Sequence, residues 1–327
     1  LAIAIGAIAC TLVSARCRRE SSSFICDTLA VCTTAQGGND GCTADSIEGV
    51  GTAMTGREGE VALTEIRRER VAALDLGSNS FHVLVAETGA GGWHSLLRQG
   101  EKVQLAAGLQ DGRLSAAAIA RGLDCLERFA PHLRDLPATA VRAVGTHALR
   151  VAANRAEFLV PAQQLIGHPI QVIDGLDEAR LIYRGAAAHA GRQLVIDIGG
   201  GSTEVILGVG DRIEQLASVP IGCITLLQYF PGGRIDAALL TAATVAAAQH
   251  IRAAWPAAQR PSGRGAEVIG CSGTLLAVEQ ILLRAGWSDR GITRAALQSL
   301  RTALLAYDRI DAVQFEGLSE SRRGVFA

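Results

Sequence analysis

Two stretches of the chain carry nearly the same chemistry. Residues 71–87 read VAALDLGSNSFHVLVAE and residues 194–208 read LVIDIGGGSTEVILG. In each, an apolar run ends on an aspartate, Asp75 or Asp197, passes through a turn of glycine, serine or asparagine, and resumes as a second apolar run. The pattern describes a β-hairpin whose tip is acidic and rich in backbone N–H groups. Glycines let a backbone approach phosphate oxygens and present amides in a concave nest. A carboxylate alone repels phosphate, but it becomes useful once a divalent cation lies between the two. Each tip therefore suits a phosphate held together with Mg²⁺ or Mn²⁺. The amides of Gly77, Ser78 and Asn79, and of Gly199, Gly200 and Gly201 with Ser202, form the expected cradle. Asp75 and Asp197 are the metal candidates, acting partly through water. A tip that occurs twice implies two lobes facing across a cleft.

The elements that must position these tips also repeat. After the first hairpin the pattern predicts a strand near 93–98, a helix over about 114–133, a strand at 140–145, a helix over about 147–166 and a strand at 170–173. After the second come a strand at 212–219, a helix over about 236–254, a strand at 266–270, and helices near 273–285 and 293–307. The tips are one small domain apart. The expected organisation is α/β, with lobe I at 70–190 and lobe II at 191–327. By internal analogy lobe II lacks the counterpart of the 170–173 strand and the helix that would follow it, so it is read as C-terminally truncated.

Composition agrees with a two-lobed soluble enzyme. A hydrophobic fraction of 49% fills a sizeable core, and an aromatic fraction of 4% leaves aliphatic side chains to build it. A net charge of −1 gives no long-range attraction to nucleic acid or to an anionic membrane. Residues 1–69 stand apart. Residues 1–15 are apolar but too short for a membrane helix, and they lack a basic flank. Five of the eight cysteines (Cys10, Cys17, Cys26, Cys32 and Cys42) fall in this leader, with no CxxC pair and no zinc-type spacing. The preferred reading is that residues 1 to about 53 are untranslated or out-of-frame sequence joined to a start at Met54. A secreted cysteine-rich leader and a natural disordered extension are the alternatives. On the preferred reading the leader packs little against the body. Cys125, Cys223 and Cys271 read as buried small hydrophobes of a reducing cytosol.

Collinear segments now carry a resemblance. VAALDLGSNSFHVLVAE, VGTHALRVAANRAEF, IQVIDGLDEARLIYRGA, LVIDIGGGSTEVILG, IGCITLLQYFPGG, GCSGTLLA and GLSESRRGVF follow one another from about Arg70 to Ala327. They resemble the exopolyphosphatase and guanosine pentaphosphate phosphatase (Ppx/GppA) family. The resemblance implies the actin, sugar kinase and Hsp70 superfamily fold, two ribonuclease-H-like lobes around a cleft. It also implies hydrolysis of terminal phosphoryl groups from inorganic polyphosphate or of the 5′-phosphate from pppGpp, in the cytoplasm, with a homodimer allowed.

Glu178 sits where a strand gives way to a helix between the two hairpins, which puts a carboxylate at the hinge of the cleft. Its bland role is a first-turn glutamate stabilising the helix N-terminus. Its position matches the family's catalytic glutamate, with Asp177 where the family usually has a second one. Glu204 matches another acidic position of the family's cleft and joins the metal candidates. Arg150 and Lys102 are plausible charge partners of the phosphate, although the family more often has arginine at the second place and lysine loses the bidentate fork. Ser272, Gly273 and Thr274 make a third glycine turn at a helix start and are expected on the far side of the cleft. Two rivals share these features: an ATP-dependent kinase or ATPase of the same superfamily, and a catalytically inactive binding protein.

Overall fold

The computed structural model describes residues 16–17, 69–89, 92–186, 191–255 and 266–326. Expectations about Met54, about Cys10, Cys26, Cys32 and Cys42, and about most of the leader lie outside the described residues. In chain order the strands are β1 (Arg16–Cys17), β2 (Glu69–Leu76), β3 (Ser80–Gly89), β4 (Gly92–Lys102), β5 (Leu109–Gln110), β6 (Arg113–Leu114), β7 (Val141–Gly145), β8 (Ile170–Val172), β9 (Arg192–Ile198), β10 (Thr203–Val209), β11 (Arg212–Val219) and β12 (Glu267–Gly270). The helices are α1 (Ala116–Phe129), α2 (His147–Val151), α3 (Arg155–Ile166), α4 (Gly175–Ala186), α5 (Ala237–Ala254), α6 (Gly273–Arg284), α7 (Arg294–Leu304) and α8 (Glu320–Arg323).

The first sheet runs in the order β4-β3-β2-β7-β8 and the second in the order β1-β12-β9-β10-β11. In each, three strands form an antiparallel meander whose first member also pairs in parallel with a later strand. This is the ribonuclease-H-like arrangement, present twice. Alternation along β2 sends Ala72, Leu74 and Leu76 to one face, where they join α1 and α3 in a single core. Asp75 therefore comes out on the other face. In the second sheet Ile196, Ile198 and Leu207 pack with α5, α6 and α7, which leaves Asp197 and Glu204 on the opposite face by the same rule.

That opposite face is covered by α4. Ile182, Tyr183 and Ala186 pack with Val195 and Ile206 of the second sheet, and Val144 of the first sheet joins the same cluster. The Tyr183 hydroxyl donates to Gly210 O at 2.8 Å, and Gly208 has no room for a Cβ beneath that ring. The helix thus follows the last strand of one sheet but lies on the other. Its N-terminus is capped by Asp174, whose Oδ1 accepts from Asp177 N at 2.7 Å.

Three differences from the expected elements have physical causes. The helix expected over 147–166 is two helices, because Asn154 turns its side chain away to accept from Leu114 N at 2.7 Å and donate to Leu114 O at 3.0 Å. That pair of buried bonds outweighs one more helical turn. Leu114 itself is not helical: Asp111 and Gly112 have positive φ and close a small β5–β6 hairpin, after which Ser115 caps α1. Finally, Arg16–Cys17 lies parallel to β12, opposite Ile269 and Gly270. It occupies in the second sheet the place that β8 holds in the first. Among the described residues the leader thus meets the body at this two-residue strand, where a sheet edge offers backbone groups that an extended segment can satisfy. No helix among the described residues is long and apolar enough to cross a membrane.

The first lobe hangs on one aromatic pair. Phe158 is fully buried, its ring 6.0 Å from that of Phe81 and in contact with Gly122 of α1. Phe158→Ala is expected to cost about 3 to 5 kcal/mol through lost burial and a residual cavity. Urea unfolding followed by circular dichroism measures it, and a change below about 1 kcal/mol would show that this pair is not central to the lobe.

Candidate functional site

Both tips fold in the same way. Gly77 N–H donates to Ser80 O at 3.1 Å, and Gly199 N–H donates to Ser202 O at 3.0 Å. These two amides close their turns, which corrects the expectation that Gly77 and Gly199 offer N–H groups to a ligand. Among the described residues, the amides of Ser78, Asn79, Gly200 and Gly201 donate to no backbone carbonyl. A following turn buttresses each tip. Gln104 and Ala106 donate to Asn79 O and Ser78 O at 2.8 and 2.9 Å, and Cys223 and Ile224 donate to Gly199 O and Gly200 O at 3.0 and 2.8 Å.

The tips meet. A Cβ on Gly200 would lie 3.1 Å from Ser78 Cβ and 3.3 Å from Asn79 Cβ, so backbone of the second lobe touches side chains of the first. Below this contact lies a cleft of about 430 Å³ lined by Asp75, Ser78, Asn79, Glu178, Asp197, Gly200, Gly201 and Ser202, among others.

Register places the acids. Asp197 and Glu204 are directly opposite on β9 and β10, and Glu204 is opposite Ser218 on β11, so all three share one face of the sheet. Glu204 is 1% exposed and accepts from Ser218 Oγ at 2.7 Å. Asp75 is opposite His82 in the first sheet, with Oδ2 3.8 Å from His82 Nδ1. Glu178 enters from the first turn of α4, which approaches closely because a side chain on Gly175 would collide with Ser218. Arg150 Nη1 donates to Glu178 Oε2 at 3.2 Å and to Ile173 O at 2.8 Å.

One guanidinium therefore faces several carboxylates. Burial first, then Asp75 and Asp197 against the opposing Arg150, pushes the Glu178 carboxyl up to about 8. Burial and Asp75 push Asp197 up to about 7. Glu204 is raised by burial, then by Glu178 and Asp197. Asp75 Oδ1 is buried without a hydrogen-bond partner. An orphaned carboxylate oxygen beside crowded acids fits a cation. Among the described residues no group of three or more His, Cys, Asp or Glu side chains is placed to hold a metal ion by itself.

The remaining sequence candidates divide. Ser272, Gly273 and Thr274 line the far wall, and Ser272 Oγ caps α6 while accepting from Ile198 N at 3.1 Å. Arg150 and Lys102 are not among the cleft-lining residues. Arg150 is committed to Glu178 from behind. Lys102 ends β4 opposite Ser80, with its ammonium pKa lowered by burial and by Arg322. Sequence reading missed Arg322, which lines the cleft with its guanidinium against Gly273. Its string, SESRRG, offers two adjacent arginines and no spacing that says which turns inward. Packing decides: Phe315 sits edge-on to Trp287, Tyr307 and Phe326 and seats the segment. Cys223 and Cys271, expected as inert core, also line the cleft.

A model of the Ppx/GppA phosphatase family matches residues 84–327. Among solved structures, an exopolyphosphatase-like protein shares 25% identity at a TM-score of 0.60, over 66% of this chain and 70% of that one. An exopolyphosphatase from Cytophaga hutchinsonii shares 24% identity at a TM-score of 0.68, over 79% and 86%. A family member from Aquifex aeolicus shares 22% at 0.61, over 80% and 87%. The first tip precedes the matched span, so its role rests on the turn geometry it shares with the second.

The acids make stability depend on pH. A carboxyl raised in the folded state binds a proton that the unfolded chain has released, so stability falls as pH rises towards the folded values of about 7 and 8. His147, lowered to about 4 by burial and Arg150, works in the opposite sense, but only below its ordinary 6.5. In a chelating buffer the melting temperature is expected to fall between pH 6.5 and about 8. Asp197→Asn should flatten that fall, and equal slopes in the two proteins would refute the buried acid cluster.

Proposed function

Because the chain belongs to the Ppx/GppA phosphatase family, we propose that its interlobe cleft hydrolyses terminal phosphoanhydrides of inorganic polyphosphate, with pppGpp as the second candidate substrate. The observation that carries this reading is the setting of Glu178. Its carboxylate lines the cleft between two phosphate-sized tips while Arg150 grips one of its oxygens from behind.

The reaction needs a water in line with the scissile bond, a base for its proton, and positive charge or N–H groups around the transferred phosphoryl. Arg150 holds Oε2 of Glu178, which leaves Oε1 to accept the proton as the water oxygen bonds to phosphorus. The amides of Ser78, Asn79, Gly200 and Gly201 surround the equatorial oxygens. The bond to the bridging oxygen breaks, and the shortened chain leaves with that oxygen's charge beside Arg322. A divalent cation held by Asp75 and Asp197, with Glu204 behind them, would add positive charge at the phosphoryl oxygens and offset the burial and the carboxylate repulsion that raise the Glu178 carboxyl.

The Gly, Ser and Thr residues and Arg322 among the described lining residues suit successive phosphates, which supports the polyphosphate reading. An ATPase or kinase of the same fold would share both tips, and a non-catalytic binder would share the whole cleft. Phosphate release from polyphosphate, pppGpp and ATP, assayed side by side, separates these three.

Glu178→Gln keeps size and most hydrogen bonding while removing the base. It is expected to lower kcat by about 10² to 10⁴-fold with little change in KM. Near-normal turnover would return Glu178 to a helix-terminus role. Asp197→Asn should instead raise the Mg²⁺ concentration for half-maximal rate, with part of the activity recovered in excess metal. A Mg²⁺ titration of both variants reads the difference, and an unchanged titration curve for Asp197→Asn would remove it from the metal site.

A further inference from the structure

The mechanism leaves His147 unused, although it sits at the centre of the interlobe contact. It opens α2, it is 9% exposed, and the N–H of the next residue, Ala148, donates to Ser78 Oγ at 3.1 Å. One turn on, Arg150 reaches Glu178. The same short helix therefore touches the first tip through Ala148, the base through Arg150, and the second tip through the His147 ring. A Cβ on Gly201 would lie 2.9 Å from His147 Cγ and 3.0 Å from Nε2, and would overlap Cδ2 outright. The imidazole is thus seated flush on the Gly201 backbone, closer than any residue with a side chain would permit. Burial and Arg150 hold the ring neutral at ordinary pH, so it acts as a packed plate and not as a charge.

We propose that His147 is a positioning residue that docks the second phosphate tip: its ring, seated on Gly201, fixes the spacing between the Gly200–Gly201 amides and the Ser78–Asn79 amides. Glycine at position 201 is required by the ring opposite it as well as by any ligand. This inference rests on the phosphatase reading for its kinetic test alone, because the contact itself can be followed without substrate.

Reciprocal substitution tests it. Gly201→Ala forces a methyl into the ring, shifts the tip, and is expected to lower kcat by about 10²-fold, the usual cost of misplacing a catalytic element by about 1 Å. His147→Ala should loosen the tip, with amide hydrogen exchange over residues 199–204 at least about tenfold faster without substrate and a smaller loss of kcat. The double variant should return from the Gly201→Ala level to the His147→Ala level in both readouts, since the clash has gone. Gly200→Ala, whose methyl would meet Ser78 and Asn79, should gain nothing from His147→Ala. A double variant as impaired as Gly201→Ala alone, or one in which His147→Ala also repairs Gly200→Ala, would overturn the proposal. Should no variant or parent release phosphate, the exchange pattern decides the docking role independently of the phosphatase reading.

Discussion

The hydrogen bond from Arg150 to Glu178 joins what would otherwise be two separate halves. Arg150 belongs to a helix of the first lobe, Glu178 to a helix that lies on the sheet of the second, and the same guanidinium nitrogen also binds Ile173 O in the segment between them. A single nitrogen thus ties base, hinge and first lobe together. The tie is asymmetric in charge. Asp75, Asp197 and Glu204 crowd the same carboxylate with no second guanidinium in hydrogen-bond reach among the described residues. Removing one partner from such a partly buried pair leaves the other charge uncompensated, so neither residue can be lost quietly.

Close approach is the second constraint, and glycine supplies it at several unrelated points. Gly175 lets α4 descend onto Ser218, Gly208 lets Tyr183 cross β10, Gly200 lets the two tips touch, and Gly201 lets the His147 ring of α2 sit on the second tip. None of these positions has positive φ. Their glycines are there for space and not for backbone freedom, and a sequence offers no local sign of which neighbour occupies that space.

Much of the fold could be read from the chain because the two apolar hairpins announce themselves by alternation and by their aspartates. Asp75 and Asp197 could be singled out because each ends an apolar run at a glycine turn, whereas Glu178 could be singled out by its match to the position of the catalytic glutamate in the family the chain resembles. What could not be read depended on distant partners. Asn154 breaks a helix for the sake of Leu114, forty residues earlier in the chain. Arg322 reaches the cleft because Phe315 finds three aromatic rings brought from elsewhere. Gly77 and Gly199 looked like phosphate donors, yet their amides were needed by their own turns, a demand set by the tight return of each hairpin.

The duplication finally explains why the two tips differ where they do. Aligned on their aspartates, DLGSNSFH and DIGGGSTE agree at the glycine that closes the turn and at the serine that accepts its hydrogen bond. They part at Ser78 and Asn79 against Gly200 and Gly201, and at His82 against Glu204. The first pair of differences is steric. Two tips bearing side chains could not meet, so one carries them and the other yields space, and Gly200 faces the very Cβ atoms of Ser78 and Asn79. The second difference is electrostatic. His82 and Glu204 occupy the same cross-strand position opposite Asp75 and Asp197. A second glutamate in the first lobe would add one more carboxylate to a cluster whose members are already raised by burial and then by mutual repulsion. Copies of one hairpin can face each other across a ligand only if they stop being identical at the positions where they would collide or repel.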